Sequence, residues 1–256
     1  MEFVLLSDTH GNAKICSKAV KLANKRKASV IVAGDLVNWE LKNPLKNFKE
    51  QLGILNNCKK ETYLIPGSHE CYDFMKLVDD FKAGKYSNVI NIHRKLLKLK
   101  SIYLLGYGGS TSITEDILKK GYYFSNPKED ELFLDSLMKN KPLIFVSHMP
   151  PHTYLDQAVF IQKPMKNKKL LNIRPAKVGE KGAITKNVGS KALKKVIEKN
   201  KPVLSVFGHI HEANGYEELF SHKVVKESKN LLINVGKEKI LLVKVEKNKA
   251  RIIKTI

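Results

Sequence analysis

"EFVLLSDTHGN", residues 2–12, decides the fold. An apolar β-type run stops at Ser7 and Asp8, His10 follows two residues later, and a helical pattern then fills about 12–25. Ile15, Ala19, Val20, Leu22 and Ala23 recur there at helical spacing. The same unit repeats down the chain. "ASVIVA" (28–33) precedes a helical segment at about 44–56 with Pro44 in its first turn. "TYLIP" (62–66) precedes a helix at 71–83. "NVINI", "LLKL" and "SIYLLGYGG" follow as strands, then helices near 112–120 and 128–139, then the strand "PLIFVS" (142–147). A helix over 190–200 takes Ser190 as its N-cap and buries Ala192, Leu193, Val196 and Ile197. "VLSVFG" (203–208) leads to "LLINVG", "KILLVKVE" and "ARIIKT", expected to close the chain as an antiparallel meander. Alternating strands and helices without a linker predict one α/β domain over 1–256 with mixed sheets. Residues 156–189 are basic, glycine-containing and weakly periodic, and are expected to form a long loop or lid.

The chain has 256 residues, enough to bury a substantial core, and 43% hydrophobic content is ordinary for a globular protein. No segment reaches the roughly 18 apolar residues of a membrane span, and the opening residues lack a basic n-region, so no membrane or signal segment is expected. Cys16, Cys58 and Cys71 are odd in number and irregularly spaced, which points to reduced thiols in a cytoplasm. The net charge of +21 is almost all lysine and spread over the whole sequence. Such a field attracts phosphorylated substrates or nucleic acid, but an evenly covered surface is its ordinary origin.

Five apolar runs end in metal-binding residue types: Asp8 and His10, Asp35, Ser68 and His69, His148, and His209 and His211. In α/β sheets, ligand groups gather beyond the carboxyl ends of strands. Two carboxylates and five imidazoles would then share one cleft. Buried carboxylates require partners, and two divalent cations would supply them. Imidazole suits Mn, Fe, Zn or Ni better than Mg or Ca.

"SDTHGN", "GDLV", "PGSHE", "SHMPP" and "GHIH", in that order, resemble the motif series of the calcineurin-like metallophosphoesterases, in their compact prokaryotic form. The resemblance spans residues 3 to about 236. It implies a four-layer α/β/β/α sandwich, two mixed β-sheets flanked by helices, with a metal site at the carboxyl ends of the strands. It implies two divalent transition metal ions, with Mn the first choice. Asp8, His10, Asp35 and His211 would surround one ion. Asp35 would be shared with the second, joined by His148, His209 and position 68. The implied reaction is hydrolysis of a phosphodiester or phosphomonoester by a metal-bridging hydroxide, with His69 assisting. Asn12 is a candidate substrate contact or the cap of the helix that follows, and Asn38 is a candidate substrate contact. The implied partner is a phosphorylated small molecule, a nucleotide or a nucleic acid.

Two positions depart from the family pattern. Ser68 replaces an asparagine ligand, and Asn38 replaces an aspartate that orients the histidine in some relatives. Glu70 is a candidate to compensate for the latter. The alternative function is a scaffold with this fold and an impaired second metal site; binding of nucleic acid through charge alone is a further one. Trp39, Arg174, Lys177 and Lys181 are weighed as substrate contacts and assigned to packing or solvated surface. His93, His152 and His222 are expected at the surface or behind the site.

Overall fold

The structure is a computed structural model and describes residues 1–38, 40–80, 86–110, 127–164, 171–177 and 179–256. The expected helix near 112–120, Trp39 and the end of the helix expected to reach 83 lie outside the described residues.

Two large mixed sheets face each other. In the first, β1 (Glu2–Leu6), β2 (Ser29–Val32), β3 (Thr62–Leu64) and β4 (Val89–Asn91) run parallel. β15 (Leu241–Val245) and β16 (Ala250–Thr255) form an antiparallel pair beside β1, and β13 (Glu227–Ser228) pairs with β16. The order of its seven strands is therefore β13-β16-β15-β1-β2-β3-β4. In the second sheet, β6 (Ile102–Tyr107), β7 (Leu143–Ser147), β11 (Leu204–Phe207) and β14 (Leu231–Asn234) run parallel. β5 (Leu96–Leu99) and β12 (Gly215–Glu218) close its edges antiparallel, so its six strands stand in the order β12-β14-β11-β7-β6-β5.

Period-2 alternation divides the side chains among three cores. In β1, Phe3 and Leu5 enter the core between the sheets, while Val4 and Leu6 face helices. In β7, Ile144 and Val146 face the other sheet, and Leu143 and Phe145 face helices. Strands covered on both faces read as continuous apolar runs, which is why the sequence announces them. Helices α1 (Ala13–Arg26), α2 (Pro44–Leu55) and α3 (Tyr72–Asp80) cover the first sheet. α4 (Pro127–Met138) and α5 (Lys191–Asn200) cover the second. The result is the four-layer α/β/β/α sandwich the motifs implied. The predicted caps form: Pro44 stands in the first turn of α2, and Ser190 Oγ accepts from Leu193 N at 3.2 Å.

Two expectations are corrected. The closing strands are not one meander, because β14 pairs in parallel with β11 in the second sheet whereas β15 and β16 belong to the first. Leu231 and Ile233 of β14 are buried in the same core between the layers as Leu241 and Val243 of β15, so burial does not tell the two sheets apart. Residues 156–189 are not a plain loop. β8 (Gln157–Pro164) pairs antiparallel with both β9 (Leu171–Pro175) and β10 (Ile184–Asn187) in a third, small sheet. Val159, Ile161 and Ala176 are its only fully covered apolar residues among those described, a cluster too small to register as periodicity among so many lysines. Arg174 there pairs with Glu180, in keeping with its assignment to solvated surface.

Candidate metal centre

Asp8 and Asp35 follow β1 and β2, Ser68 and His69 follow β3, His148 follows β7, and His209 and His211 follow β11. Within each sheet these strands run in parallel, so the carboxyl ends of both sheets meet along one edge. Cross-layer bonds fix the meeting. His148 Nδ1 donates to Ala33 O at 2.7 Å, and His209 N donates to both Asp8 oxygens at 3.1 Å.

Asp8, His10, Asp35 and His209 all have left-handed backbone, with φ of 51°, 44°, 52° and 68°. Aspartate and histidine enter that region more readily than most residues, yet each costs on the order of 1–3 kcal/mol. The turns are clamped in compensation. Asp8 N donates to Gly34 O and His10 N to Asp35 O, both at 3.0 Å, and Gly11 N donates to Leu36 O at 2.8 Å. At position 67 only glycine fits, because a Cβ would strike the Asp35 carboxylate.

Both carboxylates are buried, Asp8 at 0% and Asp35 at 2% exposure. Among the described residues their ion-pair partners are all histidines; no lysine or arginine pairs with either. Three groups of donors converge: Asp8, His10 and His211; His10, Asp35 and His69; and Asp35, His148 and His209. Within each, the donor atoms lie within 4.8 Å of one another. His10 Nε2 and His211 Nε2 face each other at 3.2 Å, and His211 Nε2 is also 3.2 Å from Asp8 Oδ1. With Nδ1 committed to Ala33, His148 turns Nε2 towards Asp35 Oδ2 at 3.2 Å, off the axis of a hydrogen bond and with no other partner among the described residues. A backbone carbonyl that fixes the tautomer and aims the second nitrogen inward is how histidine ligands are usually presented. Buried acids and inward-facing imidazole nitrogens, with no lysine or arginine partner among the described residues, fit divalent metal ions well.

The electrostatics agree. Burial would raise both carboxyls, but the hydrogen bond from His211 and the charge of His148 hold Asp8 below its usual range. His148 and then His69 hold Asp35 well below it. Burial opposes protonation of His148, yet Asp35 raises it to about 10. His209 is lowered to about 4 by burial and by the charge of His148. His148 and His211, the latter also raised by Asp8, thus offset part of the charge of the two acids, a role that a divalent cation performs with more charge.

Ser68 is buried, and its hydroxyl donates to Asp35 Oδ2 at 3.0 Å, while His69 N donates to Asp35 Oδ1 at 2.8 Å. His69 Nε2 lies 3.8 Å from Asp35 Oδ2, close enough to join the middle donor group. Asn12 Oδ1 caps α1 by accepting from Lys14 N at 3.2 Å, and Asn38 Oδ1 accepts from Glu40 N at 2.9 Å. In both, the oxygen is the atom engaged in these bonds. Glu70 does not serve the histidine. Fully buried, it accepts from Asp35 N at 3.0 Å, Val37 N at 3.1 Å and Gly67 N at 2.6 Å. Burial and the charge of Asp35 push its carboxyl up to about 7 despite those donors. Sequence reasoning missed this brace, since nothing in "PGSHE" tells which way the glutamate points. Of the other histidines, His93 is half-buried and accepts from Gly108 N at 2.9 Å; His222 stacks on Tyr154.

Comparison with known proteins accords with this geometry. An uncharacterized protein of Methanocaldococcus jannaschii is 25% identical over 243 residues, covering 89% of this chain and 88% of its own. The solved TT1561 of Thermus thermophilus shares the fold at TM-score 0.66 and 16% identity over 98% of this chain and 97% of its own. The NAD nucleotidase of Haemophilus influenzae matches at TM-score 0.55 and 12% identity over the whole chain but only 49% of its own. The model of the calcineurin-like phosphoesterase family matches residues 1–213, which contain every candidate ligand and most of both sheets. On that match, and on the strand-end constellation behind it, this chain belongs to the calcineurin-like phosphoesterases.

Proposed function

We propose that the protein is a dinuclear metal-dependent phosphoesterase that hydrolyses a phosphodiester or phosphomonoester. The observation that carries this is the pair of buried acids, Asp8 and Asp35, ringed by imidazoles and lacking any lysine or arginine partner among the described residues. Asp8, His10, Asp35 and His211 would hold one ion; Asp35, His148 and His209 would hold the other, with Ser68 as the seventh residue of the set. Asp35 would be the shared ligand because, of the two residues that belong to two donor groups, Asp35 and His10, only Asp35 is a carboxylate with two oxygens to offer. Two divalent ions supply Lewis acidity there, activating water near neutral pH and offsetting charge on the phosphate oxygens.

The chain's own residues do the rest. His69, half-buried beside Asp35, would present its imidazole to a leaving oxygen and donate a proton to it. Asn12 and Asn38, whose side-chain oxygens accept from Lys14 N and Glu40 N, would offer their amide N–H groups to substrate oxygens. Ser68 orients Asp35 through its hydroxyl. A nucleotide is the substrate class we favour; the nucleotidase among the structural neighbours and the positive field support it. Manganese and a cytoplasmic setting complete the proposal, and no described helix is long and apolar enough to cross a membrane.

The test is to reconstitute the chain with Mn²⁺, count bound ions by elemental analysis, and assay p-nitrophenyl phosphate and bis-p-nitrophenyl phosphate. Two ions per chain with turnover of either ester is the expected result. One ion or none, without turnover, would leave a scaffold protein with this fold.

A further inference from the structure

Beside the metal centre lies a cavity of about 540 Å³ that the proposed reaction does not use. Val159 of β8 and Thr185 of β10 line it. Glu212 and Ala213 of the 3-10 turn His211–Ala213 and Glu217 of β12 also line it. The turn begins at the candidate ligand His211, and Glu212, Ala213 and Asn214 run from it along the cavity. Asn214 Nδ2 donates to His211 O at 2.8 Å, so the cavity wall and the ligand are tied into one unit.

The lining has an unusual sign. The chain carries +21 overall, yet among the described residues this cavity is lined by Asp156, Glu212 and Glu217 and by no lysine or arginine. A phosphate would be repelled there. Asp156 is committed elsewhere, its oxygens accepting from Asn187 Nδ2 at 2.5 Å and Gly189 N at 2.8 Å. Glu217 is not so committed. The residue is only 9% exposed, and its Oε1 is fully buried yet accepts no well-formed hydrogen bond from the described residues; its nearest side-chain nitrogen, His222 Nδ1, lies 3.5 Å away. A buried acceptor left in that state favours a ligand that brings N–H donors. Leu155, Val159 and Ala213 add apolar wall, and the volume is that of a small-molecule compartment, not of a bare cation.

We propose that this cavity receives the nucleobase of the substrate, with amino or ring N–H groups of the base donating to Glu217. The inference rests on the phosphoesterase reading above and extends it to substrate choice. A base seated here would leave its phosphate ester directed to the His211 end, where the cations bind.

Nucleoside binding and ester turnover test the two readings separately. The full chain is titrated calorimetrically with adenosine, guanosine and purine riboside, which has the ring but lacks an exocyclic amine. One hydrogen bond to a charged group discriminates by roughly 10–100-fold, so adenosine or guanosine should bind at least about tenfold more tightly than purine riboside. Glu217→Leu should erase that difference. Glu217→Gln, which keeps the side-chain volume, should reduce it, and thermal melting of both variants checks folding. The ratio of kcat/KM for the corresponding 5′-monophosphates should fall in the same order. Equal binding of the three nucleosides, no binding of any, or a preference that survives both substitutions would overturn the proposal. Nucleoside preference without phosphoester turnover would sink the proposed function and leave the cavity assignment standing. Turnover without preference would do the reverse.

Discussion

Asp8 and Asp35 end adjacent parallel strands, are both buried and both adopt left-handed backbone, yet they are held from different directions. Asp8 is gripped from the opposite sheet: one backbone N–H, that of His209, serves both its oxygens, and His211 closes on it. Asp35 is gripped mainly from the next strand of its own sheet. Ser68 and His69 bond its oxygens, and Glu70 holds its backbone N–H. The first carboxylate therefore depends on the register between the sheets, the second on the short loop after β3. Changes in "PGSHE" should be felt at Asp35 and hardly at Asp8.

The hardest test of that difference is to neutralise each acid in turn. Asp35→Asn removes charge from two donor groups, and the loss of Lewis-acid stabilisation worth several kcal/mol should cut kcat on a phosphodiester by about 10³-fold or more. Ions per chain should fall below one. Asp8→Asn touches one group only and should retain an ion at the Asp35, His148 and His209 end. Equal metal loss in the two variants would break the comparison. Next in size is His69→Ala, expected to lower kcat by roughly 10²–10³-fold as a lost general acid while both ions stay bound. Departure of an ion would reassign His69 from proton donor to ligand, a role its place beside His10 and Asp35 permits.

Glu70→Gln attacks the brace. The new amide NH₂ must face a backbone N–H, because the native carboxylate uses both oxygens as acceptors. Supporting residues around metal ligands typically govern affinity by about 10–100-fold, and a fall of that order in affinity is expected at the Asp35 side alone. The check is a titration with Mn²⁺ resolving two binding steps. If both steps weaken equally, Glu70 merely supports the fold.

How far the sequence disclosed this arrangement depended on burial. Strands covered on both faces, such as β1, β2, β7 and β11, are continuous apolar runs, and the polar residues ending them stand out for that reason. Asp8, His10, Asp35, His148, His209 and His211 were legible as one constellation because parallel strands deliver their ends to one edge. The small sheet β8–β10 was not legible, since it buries little and its lysines dilute the alternation. Which sheet β14 joins was also hidden, because a buried strand looks the same in either layer. Glu70 stayed ambiguous for a related reason: its partners are backbone N–H groups, and these leave no mark in a sequence.

Ser68 is the smallest and finest test, and it bears on the Asp35 side alone. Its hydroxyl already has a partner, donating to Asp35 Oδ2 at 3.0 Å from a position 8% exposed. The hydroxyl steers Asp35 in this way, and its short, neutral side chain brings no carbonyl oxygen to a cation. An asparagine side chain is longer and carries both an N–H donor and a carbonyl oxygen, so Ser68→Asn can keep a bond to Asp35 and add a ligand. The second Mn²⁺ should then bind about tenfold more tightly, with the first unchanged. Ser68→Ala should weaken the second ion by a similar factor through loss of the bond to Asp35. Were Ser68→Asn to weaken the site as Ser68→Ala does, the hydroxyl would be a fitted part of the Asp35 cradle. The departure from the family pattern would then be an adaptation of the second metal site and not its impairment.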